Sequence, residues 1–317
     1  MTEPLRAAAR RTVVTNMARD WESWLQTAAQ PASATEEAER DSTLARIKRA
    51  IDASDDLDAS SVNVYVKGSY ASNTNVRRDS DVDLAVEWKE WHYVDRAFAA
   101  VGKTAAELGY TPVQAGPAPT EFRAQVERAL RAAFGASVDA SGDKAIKVTR
   151  ATGTLDADVI PCFALHRYDA PYRSHAGHRI FQKSGGAIDN FPQQNLDNGQ
   201  AKNNRTNRRY KQIVRCLKRL EGELVAVGKM PREYPGYLVE CMLYNVLDYY
   251  FTNEQTLHQT LRNCLSYLWG GLRESDNYNT WEEVNGLLML FRGRTGKRDP
   301  QEALRMVDQA WTTIGIN

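Results

Sequence analysis

The sequence predicts an α+β protein: a small mixed sheet with helices, packed on an α-helical C-terminal lobe and preceded by a long N-terminal helix. Three observations carry this. The hydrophobic period changes from helical to alternating near residue 62, and returns to helical from Lys202 onward. Turn-rich segments separate the alternating runs. The 317 residues, 42% hydrophobic and 26% charged, are enough for a buried core in one large unit or two medium ones. The expected division is 1–165, holding the N-terminal helices and the sheet, and 166–317, the helical lobe.

The elements follow in order. Residues 4–30 read as a helix with Trp21, Trp24 and Leu25 on one side and Val13, Val14 and Met17 earlier. Pro31 to Ala34 breaks it. A second helix spans about Thr35 to Ala53, with Leu44, Ile47 and Ile51 on one face. Val62, Val64 and Val66 alternate with polar residues as in a strand, which Gly68-Ser69 ends. Asp81 to Val86 alternates again. Residues 94–108 and 120–133 read as helices. Ala145 to Arg150 and Leu155 to Cys162 read as strands, with Thr152-Gly153 as a hairpin turn. Residues 166–201 are rich in Gly, Asn, Gln and His and read as irregular. Helices are expected over 203–227, 235–251, 254–270, 281–292 and 299–313, with Trp311 to Asn317 as a frayed end.

Composition excludes several classes. Forty-one Lys plus Arg balance 40 Asp plus Glu, a net charge of +1. A protein that coats nucleic acid needs a large basic excess, so DNA or RNA binding has no strong case. No apolar stretch approaches the ~18 residues of a membrane span. Met1 to Arg11 has no apolar segment behind its charges, so no signal peptide is expected. Cys162, Cys216, Cys241 and Cys264 are scattered, which fits reduced thiols in a cytoplasm. His175 and His178 read as loop histidines.

The chemistry starts at Asp81-Val82-Asp83. On a strand, positions i and i+2 face the same way, so two carboxylates stand side by side. They repel each other unless neutralised, and a hard divalent cation does that well. Alone, such a pair is far more often a solvated strand end. Two further features change the balance. Gly68-Ser69 follows a strand, and Gly lets a phosphate approach the backbone while the Ser hydroxyl holds phosphate oxygens. Asp158 lies on a second strand that can neighbour the first. Three carboxylates on adjacent strands beside a phosphate-holding turn form the layout of two-metal phosphoryl transfer.

Val66-Lys67-Gly68-Ser69, eleven intervening residues and then Asp81-Val82-Asp83-Leu84 resemble the signature of the DNA polymerase β-like nucleotidyltransferases. The run from Lys67 to Val86 looks most like the bacterial cGAS/DncV-like nucleotidyltransferases, closest in character to clade E. Ala157 to Phe163 resembles that family's third-acid strand, which favours Asp158 over Asp156, although Asp156 faces the same way. The resemblance implies a polymerase β-like core and a template-independent nucleotidyltransferase. Such an enzyme makes a cyclic oligonucleotide, expected to be a cyclic dinucleotide, from NTPs with release of pyrophosphate, as a second messenger in antiphage (CBASS) signalling. It implies two Mg²⁺ ions, with Mn²⁺ as a substitute, on Asp81, Asp83 and Asp158. It places Gly68, Ser69 and Lys218 on the donor triphosphate and Tyr237 against the base. Where the family has Ser-Tyr, this chain has Gly236-Tyr237, which removes one hydroxyl contact.

Lys202 to Leu220 carries eight basic residues and no acid. Such a run is ordinarily a solvated helix face, but Lys211, Arg215 and Lys218 form one stripe suited to triphosphates. Asn203, Asn204 and Arg205 are candidates for the second nucleotide, and Lys202 for substrate binding. The expected protein is a monomer whose downstream effector senses the product rather than binding the enzyme. The rivals are a linear-oligonucleotide synthase or a transferase to another acceptor, and an inactive nucleotide-binding regulator.

Overall fold

A computed structural model describes residues 19–76, 81–113, 116–292 and 299–315. Helix α1 (Trp21–Ala28) begins where the Asp20 side chain accepts from the Ser23 amide, and it buries Leu25 and Ala28. Val13, Val14 and Met17 lie outside the described residues. Helix α2 (Ala34–Asp52) opens on a reciprocal capping box between Ser33 and Glu36 and buries Ile47 and Ile51.

Among the described residues seven strands form one mixed sheet: β1 (Val62–Lys67), β2 (Val82–Arg96), β3 (Val138–Asp139), β4 (Ile146–Val148), β5 (Ala157–Ala170), β6 (Arg173–Phe181) and β7 (Ala187–Asn190). β2 runs antiparallel to β1 and parallel to β5. The far edge of β5 is shared, first by β4 and then by β6. Short helices α3 (Gly68–Ser72) and α4 (Ala105–Leu108) and the longer α5 (Pro119–Phe134) lie between strands. Val62, Val82, Leu84, Val86 and Val159 point to one face, where Ile47, Ile51, Phe122 and Val126 of α2 and α5 cover them. Trp88, Trp91 and Tyr93 pack with this core. The opposite face of the sheet is left for a site.

The rest of the chain is helical: α6 (Pro192–Arg205), α7 (Arg209–Ala226), α8 (Gly236–Asn245), α9 (Tyr249–Thr252), α10 (Leu257–Leu272), α11 (Ser275–Tyr278) and α12 (Pro300–Thr313). They share a second core with α1, built on buried residues such as Leu25, Leu217, Val239 and Leu265. No helix among the described residues is long and apolar enough to cross a membrane.

The α+β architecture holds, but several expectations change. Residues 192–201, expected to be irregular, belong to α6, and the helix expected over 235–251 divides into α8 and α9. Residues 94–96 continue β2 rather than start a helix, because the strand resumes pairing with β5 after a bulge between Trp88 and His92. Residues 166–190 are ladder, not loop: β5 continues to Ala170 and β6 and β7 follow. Their Ser, His and Gly hide the alternation, while the backbone bonds do not depend on side chains. His175 and His178 are therefore strand residues. The basic run spans two helices, since Asn207 and Arg208 take left-handed φ of 50° and 67° between α6 and α7. Residues 281–292 are a bridged turn, with Glu282 opposite Met289. There Asn285 accepts from the amides of Leu287 and Leu288, and Gly286 takes φ +67°. The Asn-Gly turn overrides the leucine spacing.

Candidate active site

The strand register builds the site. On the face turned away from α2 and α5, residues line up in rows across the strands. Lys67, Asp83, Asp158 and Lys147 form the first row. Tyr65, Ala85 and Ile160 form the next, then Asn63, Glu87 and Cys162. A cleft of about 1330 Å³ lies over this face, and residues of α6, α7 and α8 close its other side.

Of the residues singled out by sequence, Gly68, Ser69, Asp81, Asp83, Asp158, Lys218 and Tyr237 all line this cleft. Gly68 has φ +67°, and a Cβ there would collide with the Asp83 carboxylate. Burial raises the Asp83 pKa to about 6, with Lys67 opposing and Asp158 and Asp81 adding to the rise. Burial and then Asp81 also raise Asp158. Asp81 is engaged differently: Lys147 Nζ donates to its Oδ2 at 2.8 Å. No three His, Cys, Asp or Glu side chains among the described residues are grouped as metal ligands. Asp156 does not join the trio, since its Oδ1 accepts from the Arg150 amide at 2.8 Å.

Three charged groups that sequence reasoning missed stand in or beside the cleft. Lys67 is a cross-strand neighbour of Asp83, and burial lowers its pKa against the pull of Asp83. Lys147 is the register partner of Asp158. Glu240, nearly buried, accepts from Lys218 Nζ at 2.5 Å and from Thr74 Oγ1 at 2.6 Å. A Cβ on Gly236 would lie 3.2 Å from Lys218 Cε, so the lysine stem leans over the position where the resemblance expects a serine. Lys218 Nζ also donates to the Thr74 carbonyl at 3.2 Å, and Arg215 donates to the Asn73 carbonyl at 2.6 Å. Two residues of the basic stripe therefore grip the segment that leads toward Asp81.

Tyr237 is fixed by its hydroxyl, which donates 2.9 Å to Asn195 Oδ1 or 3.0 Å to Glu283 Oε2. The bridged turn at 281–290 delivers Glu283, so the misread helix hid this partner.

Lys202, Asn204 and Arg205 are not brought to the cleft. Lys202 is buried, with Nζ donating to the Val246 carbonyl at 2.7 Å and to Asp248 at 2.8 Å. Arg205 pairs with the same Asp248 at 2.7 Å. Asn204 accepts from Gln200 at 2.8 Å. Asp248 supplies the countercharge that the acid-free run lacks locally. Arg215 and Lys211 are likewise committed, to the Ala29 carbonyl and to Gln200.

Comparison with known proteins bears on the same two halves. Residues 47–181 match the nucleotidyltransferase domain, and residues 197–315 match the cGAS/DncV-like nucleotidyltransferase C-terminal helical domain. The chain is 36% identical over 308 residues to the cyclic dipyrimidine nucleotide synthase CdnE of Legionella pneumophila, covering 95% of this chain and 100% of that one. It is similar in structure to the CdnE cyclic dinucleotide synthase of Elizabethkingia meningoseptica with GTP and Apcpp, at TM-score 0.76, 29% identity and coverage of 93% and 99%. The CdnE c-UMP-AMP synthase of Rhodothermus marinus with Apcpp and Upnpp is similar at TM-score 0.75 and 28% identity, with coverage of 93% and 98%.

Proposed function

The chain belongs to the cGAS/DncV-like nucleotidyltransferases, and from that premise we propose that it joins two NTPs into a cyclic dinucleotide, releasing pyrophosphate twice. The observation that carries this reading is the one cleft that brings Asp81, Asp83 and Asp158 on one wall opposite Lys218 and Tyr237 on the other. Its volume of about 1330 Å³ exceeds the ~300–1,000 Å³ of a typical one-ligand pocket, as two nucleotides require.

The donor set fits divalent cations: Asp83 and Asp158 are paired in register on adjacent strands, and burial raises the pKa of both, so a cation beside them would offset the cost of their charge. We assign two Mg²⁺ ions to Asp81, Asp83 and Asp158, where they would neutralise triphosphate charge and lower the pKa of an attacking hydroxyl. Gly68 admits a phosphate to the backbone, and Ser69 and Lys218 hold its oxygens. Tyr237 supports the donor base, a contact worth ~1–3 kcal/mol with little choice of base. Both closures use one set of residues if the linear intermediate turns round in the cleft. The two halves, which divide after β7 rather than at 165/166 because that step lies inside β5, act as two walls rather than as separate enzymes. The product carries the antiphage signal to an effector, and the four buried thiols suit a reducing cytoplasm.

Incubation with all four NTPs and Mg²⁺, followed by mass spectrometry, tests the reading. A phosphatase-resistant dinucleotide is expected. A product that phosphatase degrades would establish the linear synthase, and no pyrophosphate release would establish the inactive regulator.

Lys147 provides a separate check on the metal assignment. Its ion pair with Asp81 is half exposed, so it is worth at most ~1 kcal/mol. Lys147→Met frees that carboxylate and is expected to tighten Mn²⁺ binding about two- to fivefold in an electron-spin-resonance titration. Weaker binding would contradict the assignment of Asp81 as a ligand.

A further inference from the structure

Resting on the synthase reading, we propose that Tyr65 and Glu87 form the seat of the second nucleotide's base, with the ring beneath the base and the carboxyl at its hydrogen-bonding edge. The placement comes from the rows. At ~3.3 Å per residue along a strand, the row of Tyr65 lies ~7 Å from the acid row and Glu87 lies ~13 Å from Asp83. All are on one face and line one cleft. A nucleotide with its reacting hydroxyl at the acids and its base directed down the sheet passes over the row of Tyr65 and points its far edge toward Glu87.

Tyr65 is shaped as a floor. Its register neighbour is Ala85, and it packs with Cys162 and Ile180 on the same face. The small side chains of Ala85 and Cys162 leave room over β2 and β5 for the Tyr65 ring and the His178 side chain of β6 to approach each other. There the Tyr65 hydroxyl is hydrogen-bonded to His178 Nδ1 at 2.9 Å. His178 is fully buried and burial keeps its pKa well below the usual range, so a neutral ring holds the hydroxyl. The ring is thereby fixed while still bordering the cleft. Tyr237 stands on the opposite wall, which gives the cleft two aromatic supports.

Glu87 has the chemistry of a base reader. Asn63 is its hydrogen-bond partner, and burial outweighs that bond with no ion pair to Glu87 among the described residues. Burial raises its pKa to about 7. A half-buried carboxyl without a counterion is costly unless it finds further hydrogen bonds. Holding a proton, it donates once and accepts once, as the N3–H and O4 of uracil or the N1 and N6 of adenine require. A pure carboxylate accepts only.

The test measures product base composition with four NTPs at equal concentration, together with KM for each NTP. Glu87→Ala is expected to shift the base ratio of the product about tenfold. Glu87→Gln keeps one donor and one acceptor and should stay within about twofold of the wild type. Tyr65→Leu should raise KM for the second nucleotide about tenfold with less effect on kcat. An unchanged base ratio in Glu87→Ala, with product still formed, overturns the base seat and leaves the synthase reading standing. No product from the wild-type protein overturns both.

Discussion

Asp83→Asn is expected to cut pyrophosphate release by about a thousandfold or more while the protein stays folded. Asp83 is the central member of its row, flanked by Lys67 on one strand and Asp158 on the other. The amide keeps the shape and one acceptor oxygen but cannot supply the negative charge that a divalent cation needs. The loss should be matched by a binding readout. Mg²⁺ should raise the melting temperature of the wild-type protein and leave that of the variant unchanged, since a ligand stabilises only the form that binds it. The raised pKa fixes the pH dependence. A group whose pKa is pushed to about 6 keeps its proton to higher pH than an ordinary aspartate. The proton therefore competes with the cation up to that point, and metal affinity should fall as pH falls below about 6. A variant that retains more than a few per cent of wild-type turnover would rule out the metal assignment.

Gly68→Ala should be nearly as damaging, for a different reason. The residue takes φ +67°, and its new methyl group would occupy the space of the Asp83 carboxylate. Either the β1–α3 turn shifts away from the phosphate or Asp83 leaves the acid row. Turnover should drop at least about a hundredfold, with a stability loss of ~1–3 kcal/mol from the strained backbone. Gly153→Ala separates the two effects. Gly153 has φ +75° but nothing within 4 Å of an added Cβ, so it carries the backbone strain alone. If both variants keep wild-type kcat, Gly68 is only a turn residue.

Much of the acid wall was legible because its signals are local. Strand alternation orients Asp81 and Asp83 from sequence alone, and the Gly68-Ser69 turn stands a short, fixed distance upstream. Lys147 and Glu87 were not legible. Their importance comes from which strand lies beside which, and alternation specifies a face but not a neighbour. Glu240 was hidden because a glutamate inside an apolar helix gives no sign of the lysine it holds 22 residues earlier. Lys202, Asn204 and Arg205 lie outside the cleft lining, and a run of positive charge gives no sign of the countercharge that the fold brings to Lys202 and Arg205 from Asp248. Residues 281–292 show local turn chemistry defeating periodicity.

The grip on the segment before Asp81 has a consequence for how such chains can diverge. Asn73 and Thr74 belong to the sheet half by sequence, yet their carbonyls are held by Arg215 and Lys218, and the Thr74 hydroxyl by Glu240. A helical lobe transplanted from a distant relative would have to bring side chains that reach those same three groups, or they would lose their partners. The seam is thus one unit built from both halves. Either half can drift at its outer surface, but neither can be exchanged without the other's consent at this loop.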